Sequence, residues 1–250
     1  NKNHKKVLLD NEIFMASPKD FNDPFDCRII VNYHLLNTPE KLEEYIDKLF
    51  VKLNDVLLKE KINFKLQKQN LLKRLQNINQ YQKEREEIEF QEMNKHFGIF
   101  SLSARWNSIL LWSHYGNFHK GICIGFNEKK MRNSGLFGKG SPVHYTNYFP
   151  EINPLIDEDI MIKSFKQTHS KGKEWEYEKE YRLMNLYKIA PSNNQRKIII
   201  PENCVEEINL GTNISKSDKQ EIIEVAKNRN IRIYQLERVS FKFELKRIEL

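Results

Sequence analysis

The apolar positions of this chain change their spacing twice, and the changes divide it into three stretches. Residues 7–36 carry short apolar runs, Glu12–Ala16 and Arg28–Val31, separated by turn-forming residues, which predicts short strands around a corner. The corner is Phe21-Asn22-Asp23-Pro24-Phe25-Asp26. Proline fixes its own φ and pushes the residue before it out of the helical region, and the two flanking phenylalanines can pin such a turn to a core. At Thr38 the spacing becomes three-and-four, with Thr38 as N-cap, Pro39 in the first helical turn, and Leu42, Tyr45, Ile46, Leu49 and Leu53 along one face. Neither glycine nor proline occurs between Pro39 and Gly98, so two or three helices are expected over residues 38–97.

After Gly98 the text returns to short apolar runs and turns. Strands are expected at Gly98–Ser103, Gly121–Phe126, Val143–Tyr145, Lys197–Ile200, Val205–Leu210, Ile231–Glu237 and Phe241–Ile248, and Trp175–Ile189 as an acidic turn running into a strand. Helices are expected at Asn107–Tyr115, over residues 155–170 and at Ser215–Asn230, and residues 131–142, rich in Gly and Ser, as a mobile loop. The architecture that follows is a single α+β domain over residues 1–250, with a mostly antiparallel, split sheet and residues 38–97 as a helical insertion or subdomain. That insertion suits packing or recognition of a partner protein better than chemistry.

Fifteen Phe and ten Tyr supply enough apolar area for a core, so disorder is not expected. No apolar run approaches the roughly 20 residues that cross a bilayer, which leads to the expectation of a soluble, cytoplasmic protein with no membrane partner. Cys27, Cys123 and Cys204 are odd in number and lack CxxC spacing, against both a disulfide framework and a structural zinc site. A formal charge of +7 permits an anionic partner such as nucleic acid, although acidic residues are interleaved throughout.

Chemistry-bearing residues concentrate in three places. Leu111-Trp112-Ser113-His114-Tyr115-Gly116, followed by His119-Lys120-Gly121, ends a helix and feeds a strand. Gly116 suits a left-handed helix cap, and Trp112 and Tyr115, three apart, can share a face that stacks a planar ring. His114 and His119, five apart, fall on different faces and suit hydrogen-bonded structural roles better than metal ligation. In Glu174-Trp175-Glu176-Tyr177-Glu178-Lys179-Glu180-Tyr181-Arg182 an extended backbone would put every glutamate and Arg182 on one face and the aromatics on the other. Several carboxylates on one face repel, so at least one is expected to be held by Arg182 or to need a cationic or hydroxyl-bearing ligand. The third place is Ser101-Leu102-Ser103, with both hydroxyls on one strand face. No GxSxG elbow, Walker loop or dinucleotide-binding fingerprint occurs, which sets aside serine hydrolases, kinases and dehydrogenases.

Together Phe21–Asp26, Leu111–Gly116 with His119–Phe126, Trp175–Arg182 and Ile208–Gly211 resemble a bacterial family known mainly as a domain of unknown function. That family's pattern opens with a short Tyr- and Lys-bearing strand ahead of the position of Val7, which this sequence does not show. The family is distantly similar to ADP-ribosyltransferases, whose split sheet carries a Ser-x-Ser strand and a Glu-x-Glu turn. The resemblance implies that Ser101-x-Ser103 and Glu178-x-Glu180 stand in those places and that NAD is consumed as a substrate. Ser101 would orient NAD and Trp112 or Tyr115 would stack on nicotinamide. Glu180 would stabilise the positive charge that develops on the ribose. Ser103, His114, Arg182, Asn22 and Asp23 join the expected NAD-binding set, with no metal. The acceptor would be nucleic acid or protein, and the sort of family suggests a toxin or anti-phage defence effector. The alternatives are a non-catalytic module that binds nucleic acid or a partner and, third, a metal-dependent nuclease using Asp23, Asp26 and the glutamate run.

Overall fold

The computed structural model describes residues 2–59, 63–156 and 159–250. The chain opens with helix α1 (Lys2–Leu9) and strand β1 (Glu12–Phe14), followed by helices α2 (Pro39–Lys59), α3 (Phe64–Leu75) and α4 (Ile78–His96). Strand β2 (Phe97–Ser103), helix α5 (Ile109–His114), strand β3 (Ile122–Phe126) and helix α6 (Glu128–Asn133) come next. Strands β4 (Lys139–Pro142) and β5 (His144–Thr146), helix α7 (Ile160–Thr168) and strands β6 (Ser170–Gly172), β7 (Glu180–Leu186) and β8 (Lys197–Ile199) continue the chain. It closes with β9 (Val205–Leu210), helix α8 (Lys216–Asn228), β10 (Arg232–Arg238) and β11 (Leu245–Glu249). The fold is α+β, and contacts divide it into two compact units.

The first unit comprises Asn1–Asp20, His96–Tyr145 and Lys171–Leu250. It holds a four-stranded sheet in the order β11-β10-β9-β3, a three-stranded sheet in the order β2-β7-β4 and the pair β1-β8. All these pairings are antiparallel except β9 with β10. A parallel pair needs a crossover, and α8 supplies it. Ser215 caps α8 by accepting from the Asp218 N–H, and the helix lays Ile222 and Ala226 on the core with Ile208 and Leu210 of β9 and Ile233 of β10. Arg196 is buried but satisfied: its Nη1 donates to the carbonyls of Phe97 at 2.7 Å and Met15 at 3.3 Å, tying strand ends together.

Gly211 ends β9 where another backbone presses on it. A Cβ there would lie 2.1 Å from the His119 carbonyl oxygen and 3.0 Å from that of Gly121. Both are main-chain atoms, held by the Asn213 N–H donating to His119 and the Gly211 N–H donating to Gly121. Gly211→Ala is therefore expected to destabilise the protein by about 1–3 kcal/mol, the cost of overpacking. A thermal melt followed by circular dichroism reads this directly, and an unchanged midpoint would show that the turn yields freely.

The second unit comprises Phe21–Lys95 and Thr146–Ser170. Ile46 and Phe50 of α2, Leu75 of α3 and Tyr81 of α4 close over Ile29, Val31, Tyr33, Leu36 and Ile152. The expected helices over residues 38–97 are thus α2, α3 and α4, and their unit also takes in the chain on either side. Tyr33 meets Tyr45 and Tyr81 edge-on at 5.8 and 5.0 Å, and burial pushes the Tyr33 and Tyr45 phenols up to about 12.

Several elements differ from the sequence expectation. Arg28–Val31 forms no strand beyond a single bridge from Val31 to Ile152, because the Gln82 side chain of α4 takes the Tyr33 N–H and the Val31 carbonyl that a ladder would use. Val7–Leu9 close helix α1. The expected loop over 131–142 ends α6 and forms β4, which pairs with β7. The helix expected over 155–170 spans only Ile160–Thr168; residues 157–158 lie outside the described set. Among the described residues no helix is long and apolar enough to cross a membrane.

Candidate functional site

The site is built on the three-stranded sheet of the first unit. Antiparallel pairing sets Ser101 of β2 opposite Arg182 of β7 and Ser103 opposite Glu180, while Ser141 of β4 faces Arg182 from the other side. Because side chains alternate along a strand, Ser101, Ser103, Glu180, Arg182 and Ser141 share one face. The glutamate segment is an acidic turn that runs into a strand, as expected, rather than extended throughout. Lys173–Glu178 is a 3-10 turn, closed by Lys179 in the left-handed region (φ 45°), and the strand starts at Glu180. The turn sends Glu174 and Glu176 outward, where Glu176 pairs with Lys173 and Lys179, and keeps Glu178 and Glu180 buried.

Four buried charged groups meet there. Arg182 is fully buried and grips Glu180 with two parallel bonds, Nε to Oε1 at 2.7 Å and Nη2 to Oε2 at 2.8 Å. Lys171 of β6 donates to Glu178 Oε2 at 2.6 Å and reaches Glu180 Oε2 at 3.4 Å. The Tyr115 hydroxyl, at the end of α5, donates to Glu178 Oε1 at 2.9 Å. Two cations thus balance two carboxylates inside the protein, the condition under which buried charge is tolerated. Burial alone would raise the Glu180 carboxyl, but the Arg182 hydrogen bonds and charge, the Lys171 charge and the Ser101 hydroxyl outweigh it and hold the group below its ordinary value.

The sign of that shift makes a prediction. A carboxyl depressed in the folded state contributes stability that is complete above its unfolded value of 4.5 and is lost as pH falls through the lower folded value. Melting midpoints of the wild type are expected to fall more steeply below about pH 4.5 than those of Glu180→Gln, which has no such proton to take up. Parallel slopes would remove Glu180 from the acid response.

Backbone contacts fix the frame. The Ser103 hydroxyl donates to the Glu178 carbonyl at 2.6 Å and accepts from the Arg105 N–H at 3.0 Å, and the Glu180 N–H donates to the Tyr145 hydroxyl at 2.8 Å. Sequence reasoning missed Lys171 and Tyr145. Lys171 stands in the polar run Ser170-Lys171-Gly172-Lys173-Glu174, which reads as solvated surface, and only the pairing of strands exposes its role.

The structure sorts the expected residues. Ser101, Ser103, Tyr115, Glu178, Glu180 and Arg182 come together. Trp112 does not serve as a stacking surface: it is buried, donates from Nε1 to the Trp106 carbonyl at 2.6 Å and packs with Leu236 and Leu245. Its neighbour His119 lies stacked on it and bonds to Ser113 Oγ at 3.2 Å, the structural role its spacing indicated. Gly116 is not a left-handed cap. Its lack of a side chain makes room for Trp112, whose Cε3 would lie 2.6 Å from a Cβ, and the left-handed residues are Asn117, Phe118 and His119. Asn22 and Asp23 belong to the second unit, where the Asp23 carboxylate accepts from the Phe25 N–H at 2.9 Å as a turn-former. His114 is exposed, with its ring 6.5 Å from that of Tyr177.

Among the described residues, no group of three or more His, Cys, Asp or Glu side chains stands where it could hold a metal ion. No curated protein and no solved structure matches the chain. Residues 111–183, which carry Tyr115, Lys171, Glu178, Glu180 and Arg182, match the model of a family described as a protein of unknown function, DUF2971.

Proposed function

We propose that the first unit consumes NAD by glycosyl transfer, in the manner of an ADP-ribosyltransferase. The observation that carries this reading is the shared sheet face, on which the Ser101 and Ser103 hydroxyls stand with a buried, ionised Glu180, and Glu178 lies two residues upstream. In this reading the bond from ribose C1 to the nicotinamide nitrogen breaks, and its electron pair leaves with nicotinamide, discharging that ring. Positive charge then grows on the ribose, and the Glu180 carboxylate, held by Arg182 and kept out of bulk water, stabilises it. The acceptor forms the new bond to C1 and gives up its proton. Tyr115, half exposed and bonded to Glu178, links the buried carboxylate pair to the surface.

A second reading, a non-catalytic binding module, is favoured by the mutual pairing of Lys171, Arg182, Glu178 and Glu180, which structural clamps also show. The test is incubation of the full chain with NAD, with RNA, DNA and protein extracts offered as acceptors, and chromatography of released nicotinamide. Release supports the transferase; no release under any of these conditions sinks it and leaves the binding module.

A further inference from the structure

A chain of aromatic rings runs along the rim of the same site, and at one end Tyr115 contacts the carboxylates. Tyr115 and His114 lie at the end of α5, with ring centroids 6.3 Å apart; His114 is 6.5 Å from Tyr177, and Tyr177 is 6.1 Å from Trp175. Trp175 in turn lies under the Lys171 ammonium at 4.5 Å. The rings come from two segments far apart in sequence that the fold sets side by side. Tyr115 is 52% exposed, His114 is exposed, and Tyr177 and Trp175 are partly so. Beyond α5, Asn117, Phe118 and His119 hold φ of 49, 55 and 64°, and this run leaves Phe118 73% exposed. Non-glycine backbone held in that region concentrates where a site must be shaped.

Two exposed cations stand on the adjoining segments. Arg105, whose N–H bonds to Ser103, and Lys120, next to His119, are both exposed, and neither enters an ion pair among the described residues. Exposed and partly exposed rings in T-shaped and tilted contact, with exposed cations on adjoining segments, offer ring faces to the bases and charges to the phosphates of an unpaired strand. A duplex hides its base faces and cannot use such rings.

We propose that this rim binds single-stranded nucleic acid, with bases stacking on Tyr177 and Trp175 and phosphates meeting Arg105 and Lys120, and that a nucleotide of that strand is the acceptor. The acceptor clause rests on the NAD-consuming reading; the binding clause does not. The chemistry balances with no further reactant: a base or sugar nucleophile of the strand bonds to ribose C1, loses its proton to solvent, and nicotinamide departs with the old bonding pair.

The experiment is fluorescence anisotropy of a labelled single strand of about 12 bases with the full chain, alongside its duplex, with mass spectrometry of the strand after addition of NAD. Single strand is expected to bind at least tenfold more tightly than duplex, and tightness should fall with added salt. Tyr177→Ala and Trp175→Ala should each weaken binding by about 5- to 150-fold, the range for loss of one stacked base. Arg105→Ala, at an exposed position, tests the same surface should either aromatic variant fail to fold. Equal binding of single strand and duplex, or binding indifferent to all three variants, overturns the proposal. Displacement of the strand by NAD or AMP at their own ordinary concentrations also overturns it, because the rings would then seat the small substrate. Nicotinamide release with no strand bound leaves the NAD reading standing without this acceptor. Strand binding with no release keeps the platform and removes the transfer.

Discussion

Glu180→Gln is expected to lower nicotinamide release from NAD by about 10²–10³-fold or more, the scale on which loss of one preorganised electrostatic group at a developing charge is felt. The effect should fall on kcat, since the carboxylate counts most when positive charge has formed on the ribose and little in ground-state binding. Glutamine keeps the shape and can still accept from Arg182, but it leaves two buried cations facing one carboxylate. Stability must therefore be measured beside activity. Glu178→Gln is the matched control, because it removes the same charge from the same cluster but leaves the Arg182 grip on Glu180 intact. Equal loss of melting midpoint in the two variants with a much larger loss of release in Glu180→Gln assigns the chemistry to Glu180. Equal losses of both would reduce the cluster to a fold element.

Arg182→Met should destabilise the protein by about 3–5 kcal/mol, the cost of breaking a buried ion pair from one side. Arg182 has no route to solvent, and its removal leaves the Glu180 carboxylate with the Ser101 hydroxyl and, as its cation, the distant arm of Lys171 at 3.4 Å. Replacing both partners is a different matter. Arg182→Met with Glu180→Leu removes the charge and its counter-charge together, and apolar replacements of buried pairs are often neutral or stabilising. Urea unfolding of the two single variants and the double one forms a cycle, and a large positive coupling is expected. Additive losses would mean that the two side chains act independently, against the bidentate geometry.

Much of this fold was legible in the sequence wherever a segment's own period matched its environment. The three-and-four spacing after Pro39 became helices, the capped Ser215 segment became α8, and Gly98–Ser103 became β2. Reading failed where a distant side chain took over the backbone's hydrogen bonds, as Gln82 does at Val31 and Tyr33. The acidic turn running into a strand formed as expected at Trp175–Ile189, with left-handed Lys179 between the two, so the one-face alternation that full extension would give begins only at Glu180. In the site, Glu178, Glu180 and Arg182 were visible as a dense local cluster. Lys171 was not, because a lysine among lysines carries no mark of burial. Trp112 looked like a ligand surface because its aromatic size draws notice, and packing decides whether such a ring faces a substrate or a core.

The shared face of β2 and β7 makes this site a matter of counting. Ser101 pairs with Arg182 and Ser103 with Glu180, each two residues from the next. A one-residue slip in either strand turns that strand's whole set of groups to the opposite side at once. Insertions and deletions within Phe97–Ser103 or Glu180–Leu186 thus act as all-or-none lesions. Related chains that share the chemistry must keep these intervals to the residue, whatever length their connecting loops have drifted to.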